Sequence, residues 1–143
     1  DQLAELLRIC DEHGWRRPVA LQPAYSLLKL DIEKDLLPLC EQEQIAVMPY
    51  QVLQGGVLTG KYRRDAPVPE GSRQLEKPEW TLPLTGDLYD RLVAIDAEAR
   101  VRGRTLMQHA LAALLEQPAV VSLVMGVKRI AQLEDLIAAV ERG

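Results

Sequence analysis

The chain has 143 residues, of which 48% are hydrophobic and 27% charged, and its formal net charge at pH 7 is -4. This length and composition suit one globular domain and argue against disorder. The acidic balance and the lack of long Lys or Arg runs exclude a duplex-binding protein, and no apolar stretch approaches the roughly 20 residues that a membrane helix needs. We expect a cytoplasmic protein without a nucleic-acid or membrane partner.

The two cysteines, Cys10 and Cys40, are each embedded in an apolar helical face. Cysteines in such positions usually act as small buried hydrophobes, so we expect neither a disulfide framework nor a zinc site. The chain begins at Asp1 and opens directly on a helix, without an initiator methionine. This start favours a piece of a longer protein.

The first part of the chain alternates between helix and strand. Apolar residues at helical spacing predict one helix over 1–13 and another over about 32–44, while short apolar runs predict strands at 19–22 and 45–48. This order favours a parallel sheet whose strands are joined by helical crossovers. His13 lies near the negative end of the first helix, and we interpret it as a capping residue.

Residues 54–86 form a long connection that contains four prolines. Such a loop inside a compact domain usually serves as a lid or a binding loop. We expect Trp80 to pin this loop to the body of the domain. Three basic side chains, Lys61, Arg63 and Arg64, either meet phosphate or form a solvated surface, and the sequence leaves both interpretations open.

Two further helices follow the long connection. Leu88, Leu92 and Ile95 recur at helical spacing, and Gly103 ends their helix. Thr105 and Gln108 then match a capping box, in which each side chain bonds the other residue's backbone N–H. His109, one residue further, has no second metal ligand nearby in the sequence, so we assign it a surface or packing role.

A third strand is predicted at 119–125, followed by an amphipathic helix over 130–140. We expect four apolar side chains of this helix to face inward: Leu133, Leu136, Ile137 and Val140. The three strands leave the sheet through residues 22–25, 50–56 and 126–129. Because the carboxyl ends of parallel strands meet at one edge, these exits predict a binding crescent on a single rim.

Three segments together resemble the aldo-keto reductases. Residues 45–62 (IAVMPYQVLQGGVLTGKY) are similar to the family's seventh-strand pattern I-x-V-x-x-Y-S-P-L-x-x-G-x-L-T-G-K-Y, and residues 19–28 (VALQPAYSLL) resemble its sixth strand. Residues 122–140 resemble its last strand and helix. The resemblance implies an α/β fold: the C-terminal part of a (β/α)8 TIM barrel, with about three parallel strands and four to five helices, residues 1–143 forming a single domain or fragment.

The resemblance also implies a function, which is carbonyl reduction by hydride transfer from NADP(H), with this chain carrying part of the cofactor cradle. In the family pattern Gln22 matches the amide that bonds the nicotinamide carboxamide, and Tyr50 matches the aromatic ring that stacks on the nicotinamide. The loop at Leu53 and Gly55 passes the pyrophosphate. The implied cofactor-binding residues are Gln22, Tyr50, Gln51, Leu53, Gly55, Lys61, Gly126, Lys128, Arg129 and Gln132.

The sequence departs from the family pattern at three places. Gln51-Val52 stands where the family has Ser-Pro, Leu136 where it has Asn, and Met125 where it commonly has Pro. We therefore expect a weak or incomplete NADP site. The family's catalytic Asp, Tyr, Lys and His come from the first half of the barrel, and no residue here matches them. We expect no catalytic residue in this chain and no activity from it alone, with an aldehyde or ketone as substrate only if the barrel is completed.

Two alternatives remain open. Residues 55–61 satisfy G-x-x-x-x-G-K, the phosphate loop of P-loop nucleotide binders, but Tyr62 follows where Ser or Thr would hold magnesium. In the other alternative, the chain is a non-catalytic, self-associating half-barrel module. Three parallel strands leave two unpaired edges, which a homo-oligomer would cover.

Overall fold

The computed structural model describes residues 2–141. Its helices are α1 (Gln2–His13), α2 (Leu36–Gln42), α3 (Arg73–Glu76), α4 (Gly86–Val101), α5 (Leu106–Leu115) and α6 (Ile130–Glu141). Its strands are β1 (Ala20–Leu21) and β2 (Ala46–Val47), and short 3-10 segments cover Asp31–Glu33, Gln54–Thr59 and Pro78–Trp80. None of the helices in this range has the length and apolar character to cross a membrane.

The two strands pair in parallel, with Ala20 opposite Ala46. The pairing continues beyond the regular strands to a parallel bridge between Ala24 and Tyr50. Residues 119–125, which we call the edge segment, lie on the other side of β2. The spatial order of the three follows the order in the sequence, as in successive strands of a parallel barrel.

The third predicted strand lies where it was expected, but it pairs regularly at one point only. A parallel bridge joins Val47 to Val120. The backbone N of Val47 donates to the Ala119 oxygen at 2.8 Å, and the N of Val121 donates to the Val47 oxygen at 3.1 Å. The free side of this segment faces no strand among residues 2–141, so it stays an extended edge.

The core is divided into two clusters that share the half-buried side chain of Leu53. The first cluster joins α1, α2, α5 and α6 to one face of β2 and the edge segment: Leu3, Leu7, Tyr25, Leu37, Cys40, Ile45, Val47, Val52, Leu111, Leu114, Ala119, Val120, Leu136 and Ala139. The second packs α4 and α5 against residues 54–62: Leu28, Val57, Leu58, Tyr62, Leu88, Leu92, Leu106 and Ala110. Both cysteines are buried and unpaired, as predicted.

The predicted helix ends are formed largely by local contacts. His13 Nδ1 lies 3.0 Å from the Ile9 oxygen, which confirms its capping role at the end of α1. The capping box that starts α5 is complete, with Thr105 N donating to Gln108 Oε1 at 2.8 Å and Gln108 N donating to Thr105 Oγ1 at 3.2 Å. His109, on the same helix, is buried, in agreement with a packing role.

The helix predicted over 32–44 is shorter than expected. A 3-10 turn covers Asp31–Glu33, and the regular helix runs only from Leu36 to Gln42. Pro38 explains the late start, because a proline is tolerated in a first helical turn, where its missing N–H has no helical partner anyway. Gln44 then ends the helix by adopting a positive φ of 55°.

The predicted inward face of α6 is wrong for three of its four residues. Leu136 is buried, but Leu133, Ile137 and Val140 are 46%, 49% and 46% exposed. Ile130, three residues before Leu133, is 77% exposed and extends this row, which we call the α6 stripe. The helix is apolar on two faces, and only one of them packs on the described part of the molecule.

Trp80 does not pin the long connection, since it is 58% exposed. The backbone holds the loop instead. Residues 72–81, which we call the strap, cross the glycine loop (residues 54–60). A Cβ atom built on Gly55 would lie 2.6 Å from Thr81 Cγ2 and 3.1 Å from the Trp80 oxygen. Only a glycine permits so close a crossing.

Candidate functional site

The three strand exits meet at one end of the sheet, which we call the rim. Tyr50 N donates to the Pro23 oxygen at 3.0 Å, and Tyr25 N donates to the Tyr50 oxygen at 3.2 Å, so the first two exits are joined directly. Val124 N donates to the Pro49 oxygen at 2.9 Å, so the end of the edge segment, from which the third exit leaves, lies at the same end of the sheet. The parallel order of the chain therefore produces the single rim that the sequence predicts.

Gln22 and Tyr50 both point away from the core. Tyr50 is 43% exposed and Gln22 is exposed, whereas Tyr25 and Pro49 are buried. Tyr50 lies opposite Ala24, and side chains alternate along a strand, so Gln22, two residues before Ala24, shares the face of Tyr50. The rim thus presents an amide group and a flat aromatic face on the same side.

The glycine loop is held in an unusual backbone conformation. Its residues Gln54, Gly55 and Gly56 have φ angles of 48°, 66° and 97°, and Gln51 just before it has 57°. Positive φ is costly for a glutamine and needs support from its surroundings. For Gln54 this support is a buried hydrogen bond from its Nε2 to Ser26 Oγ at 2.9 Å.

The Gln54–Ser26 bond fixes the glycine loop to the exit of β1, and we did not predict it from the sequence. The available signal was two polar residues inside apolar runs. Ser26 is fully buried, and its hydroxyl also accepts from Leu28 N at 3.2 Å. A buried polar pair of this kind is stable only when both partners are satisfied, so it fixes the relative position of the two exits.

Lys61 extends over the glycine loop. A Cβ atom on Gly56 would lie 2.9 Å from Lys61 Nζ, and the same Nζ is 5.1 Å from the centre of the Tyr62 ring. In the described range, Lys61 forms no ion pair with a carboxylate. An ammonium group above the half-buried glycine backbone is suited to an anion.

The other two basic residues near Lys61 do not act with it as a group. Arg64 Nη2 bonds the Gly86 oxygen at 3.0 Å and Asp90 Oδ1 at 2.5 Å, and its guanidinium lies 5.7 Å from the centre of the Tyr89 ring. Arg64 therefore ties the long connection to α4. Arg63 is exposed. Of the two interpretations left open, the solvated surface suits the exposed Arg63, Arg64 is instead paired with Asp90, and the phosphate contact stays a prediction for Lys61 beside the glycine loop.

The third exit carries a cation that is tied to the strap. Lys128 Nζ bonds Glu76 Oε2, and the lysine lowers the pKa of Glu76 below its usual value. Gln132 Oε1 accepts from Lys128 N at 2.9 Å and from Arg129 N at 3.2 Å, so Gln132 holds the turn that presents both basic side chains. A Cβ atom built on Gly126 would have none of the neighbouring heavy atoms within 4 Å. Sequence reasoning did not identify Glu76.

Three residues that depart from the family pattern are packing residues. Val52 is 2% exposed and Leu136 is 7% exposed, both within the first core cluster, and Met125 packs against that cluster. Leu53 is half-buried between the two clusters and fixes the base of the glycine loop, where its oxygen accepts from Gly56 N at 2.9 Å. Gln51, by contrast, is exposed at the rim.

The rim residues fit a nicotinamide dinucleotide by their chemistry. The aromatic face of Tyr50 suits a planar ring, the Gln22 amide offers both a donor and an acceptor, and Lys61, Lys128 and Arg129 offer positive charge to phosphates. The glycine loop does not fit a P-loop, because it leads into irregular chain and the next helix begins only at Arg73.

A groove of about 1080 Å³ lies elsewhere, between α1 and α2 on the helical side of the sheet. Its walls are largely aliphatic and contain none of the ten residues predicted for the cofactor site. They comprise Gln2, Leu3, Ala4, Leu6, Leu21, Pro23, Asp31, Ile32, Lys34, Asp35, Leu36, Pro38, Leu39 and Gln42. The groove is roomy, but the exposed aromatic, amide and cationic side chains lie on the three strand exits, so we assign the candidate site to the rim.

The chain is similar to known proteins along almost its whole length. A model of the Aldo/keto reductase family matches residues 1–142. A putative voltage-gated potassium channel subunit beta of Schizosaccharomyces pombe is 36% identical, with the match covering 93% of this chain and 40% of that protein. Protein tas of Escherichia coli is 33% identical, and its match covers 92% of this chain and 38% of the relative.

A solved structure shows the same fold. It is a glycerol dehydrogenase of Gluconobacter oxydans, 22% identical with a TM-score of 0.59, and the match covers 95% of this chain and 52% of that one. This likeness identifies the two parallel strands, the edge segment and their helices as a partial (β/α)8 barrel, as the sequence predicts. The chain thus spans about half of this structure and about two fifths of the two relatives.

Proposed function

Since the chain belongs to the aldo/keto reductase family, we propose that it carries the cofactor-binding rim of an oxidoreductase that reduces aldehydes or ketones with NADPH. The observation that supports this most directly is the rim itself. The first two exits are hydrogen-bonded side by side, the third leaves the sheet at the same end, and Gln22 and Tyr50 are exposed there on one face. We place this reaction in the cytoplasm, since Cys10 and Cys40 are buried as free thiols.

In this proposal the nicotinamide end binds at Gln22 and Tyr50. The Gln22 side chain donates to the carboxamide oxygen and accepts from its NH2 group, while the Tyr50 ring covers one face of the nicotinamide. The bound cofactor supplies the hydride. The chain's own residues orient the ring and shield it from water on one side.

The phosphates bind along the glycine loop and the third exit. Lys61 lies over Gly56, where the missing Cβ leaves room for its ammonium group, and this charge neutralises the pyrophosphate. Lys128 and Arg129 hold the adenosine 2′-phosphate, presented by the turn that Gln132 bonds. The site is weak in our proposal, because Lys128 is already paired with Glu76.

We propose that the carbonyl oxygen is protonated by groups other than those described here. Tyr25 is unsuited as the acid, since it is 1% exposed and donates to Glu33 Oε1 at 2.5 Å. Its burial, followed by the Glu33 carboxylate, raises the pKa of the phenol. Tyr62 is buried as well. The chain alone therefore binds the cofactor without reducing a carbonyl compound.

The test is a titration of NADPH fluorescence with the wild-type chain, Tyr50→Ala and the matched variant Tyr50→Phe. We expect Tyr50→Ala to weaken binding by about two- to tenfold, the range of an aromatic stacking contact, and Tyr50→Phe to keep it. A parallel titration with ATP and magnesium addresses the P-loop alternative, which predicts phosphate release. Equal NADPH binding by all three proteins rejects the proposed site.

The inactive state of the chain alone has its own test. We expect no sustained NADPH oxidation when a simple aldehyde is added to the wild-type chain. Steady turnover that Tyr50→Ala abolishes would show that a proton donor is present in these residues, and it would overturn this part of the proposal.

A second candidate is a non-catalytic module that associates with itself. The observations that favour it are the exposed α6 stripe and the free edge segment, where Val121 and Val124 are 60% and 41% exposed. A row of exposed apolar side chains on one helix favours an interaction site, and a free strand edge is a template for pairing. This candidate predicts a dimer or larger species in sedimentation without any NADPH binding.

A further inference from the structure

The groove between α1 and α2, which we call the α1–α2 groove, has a volume of about 1080 Å³ and mostly aliphatic walls. Leu6 is 45% exposed in it, and four further aliphatic side chains are half-buried there: Leu21, Ile32, Leu36 and Leu39. In the described part of the chain, none of its lining residues is aromatic. Small-molecule sites usually combine aromatic walls with a few placed polar groups, so the groove suits an apolar side-chain surface better than a small ligand.

The α6 stripe has the complementary form, a ridge of aliphatic side chains. Ile130, Leu133, Ile137 and Val140 recur at i, i+3, i+7 and i+10, so all four lie on one side of the helix. An amphipathic helix is bound in an apolar groove through side chains at this spacing. None of the residues that line the α1–α2 groove belongs to α6, so the stripe of one chain does not fill its own groove.

Charged side chains without partners border both surfaces. Lys34 and Asp35 line the groove, Arg129 directly precedes the stripe, and Glu134 lies beside it, four positions after Ile130. All four charged side chains are exposed, and none of them forms an ion pair within residues 2–141. The groove thus offers one cation and one anion, and α6 offers one of each in return, an arrangement that favours a specific contact.

We propose that the α6 stripe of one chain binds in the α1–α2 groove of a second copy of this chain. The contact needs no cofactor and goes beyond the proposed reductase function. For the second candidate function it names the surface that receives the stripe. Since the ridge and the groove are different surfaces and every copy carries both, the contact joins copies either reciprocally in a pair or head to tail.

The driving force is the removal of apolar surface from water. The stripe side chains are 46–77% exposed, and Leu6 in the groove is 45% exposed, so both surfaces still have area to bury. The stripe is already ordered on a helix of 12 residues, which keeps the entropic cost of binding low. Pairing of Lys34 with Glu134 and of Asp35 with Arg129 then fixes the register of the helix in the groove.

The experiment follows self-association by sedimentation velocity over a range of concentrations. It compares the wild type with Leu6→Asp in the groove, Ile137→Asp on the stripe, and Val93→Asp. Val93 is 69% exposed on α4, outside both surfaces, so Val93→Asp is the matched control. We expect Leu6→Asp and Ile137→Asp each to weaken association by at least about tenfold, because each places an unpaired carboxylate in an apolar contact. Val93→Asp leaves association unchanged, and circular dichroism checks that every variant is folded.

Mixing the two defective variants tests whether the ridge and the groove are the two halves of one contact. Leu6→Asp keeps an intact stripe and Ile137→Asp keeps an intact groove, so the mixture forms a one-to-one pair although neither variant associates alone. Lys34→Glu and Glu134→Lys repeat the test at exposed polar positions. Each weakens association by about threefold, as for one exposed ion pair, and a chain that carries both changes recovers it.

Three outcomes overturn the inference. A wild type that stays monomeric at every concentration leaves both surfaces to partners other than a second copy. Association that only Val121→Lys abolishes belongs to the free edge, and the second candidate function then stands without this contact. Loss in Ile137→Asp without recovery in the mixture indicates a contact between two stripes. The NADPH titration with the Tyr50 variants is read separately, so a failure of the proposed reductase function is distinguished from a failure of this inference.

Discussion

Neighbouring valines on β2 and on the edge segment have opposite surroundings. Val47 is fully buried and Val120 is 6% exposed, but Val121 and Val124 are 60% and 41% exposed. The sequence is equally apolar in both places. An apolar run therefore predicts that a strand forms. Which of its side chains become buried depends on the helices and strands that pack beside it.

The first prediction tests this contrast with leucines on α5 and α6. Leu111 is fully buried in the first core cluster, whereas Leu133 is 46% exposed on the α6 stripe. Leu111→Ala leaves a cavity and should cost about 2–5 kcal/mol of unfolding free energy. Leu133→Ala should cost less than about 1 kcal/mol. Urea unfolding followed by circular dichroism measures both, and equal losses would contradict the assigned burial.

The second prediction concerns the buried region and states how the unfolding free energy depends on pH through the phenol of Tyr25. The pKa of Tyr25 is raised above its ordinary 10.0 by burial and by the Glu33 carboxylate. Above about pH 10 the unfolded chain loses this proton while the folded chain keeps it, so stability is full below pH 10 and falls as pH rises.

Tyr25→Phe provides the comparison for this pH effect. It should lower the unfolding free energy by about 1–3 kcal/mol near neutral pH, because Glu33 loses a hydrogen bond to a largely buried partner. The gap between the two proteins should narrow from pH 10 upward, measured as urea midpoints at each pH. A gap of constant size up to pH 11 would show that the phenol does not titrate differently in the folded chain.

The third prediction concerns the free edge and has the smallest expected effect on the unfolding free energy. Val121→Lys places a charge on an exposed edge position, so the unfolding free energy should change by no more than about 0.5 kcal/mol. In the second candidate function, in which the chain associates with itself, this lysine should decrease that association, because edge lysines oppose pairing between chains. Sedimentation velocity and the binding of an apolar dye measure this effect. A large loss of stability would instead mean that Val121 is covered in solution.

The sequence predicted those parts of the fold that depend on neighbouring residues. The capping box of Thr105 and Gln108 spans three positions, and the cap at His13 spans four, so each is visible as a short motif. The placement of Gln22 and Tyr50 on one rim also followed, because parallel strands in sequential order leave no other arrangement of their exits.

Contacts between distant residues were not predictable in the same way. The Gln54–Ser26 bond joins residues 28 positions apart, and neither residue type identifies the other. Trp80 was expected to anchor its loop by its large side chain, but the small Gly55 accepts the strap backbone instead. Size and hydrophobicity indicate what a side chain gains from burial, but the path of the chain decides whether a partner is there.

The amino-acid sequence by itself determined the alternation of the main helices with parallel strands, since this rests on periodicity and on local motifs, and its resemblance to the aldo-keto reductases indicated the family. Only the tertiary structure decided that α6 leaves an apolar stripe uncovered and that Glu76 reaches Lys128 across the rim. The physical reason is that burial and ion pairing depend on distances through space, which are set once loops fold back over the sheet.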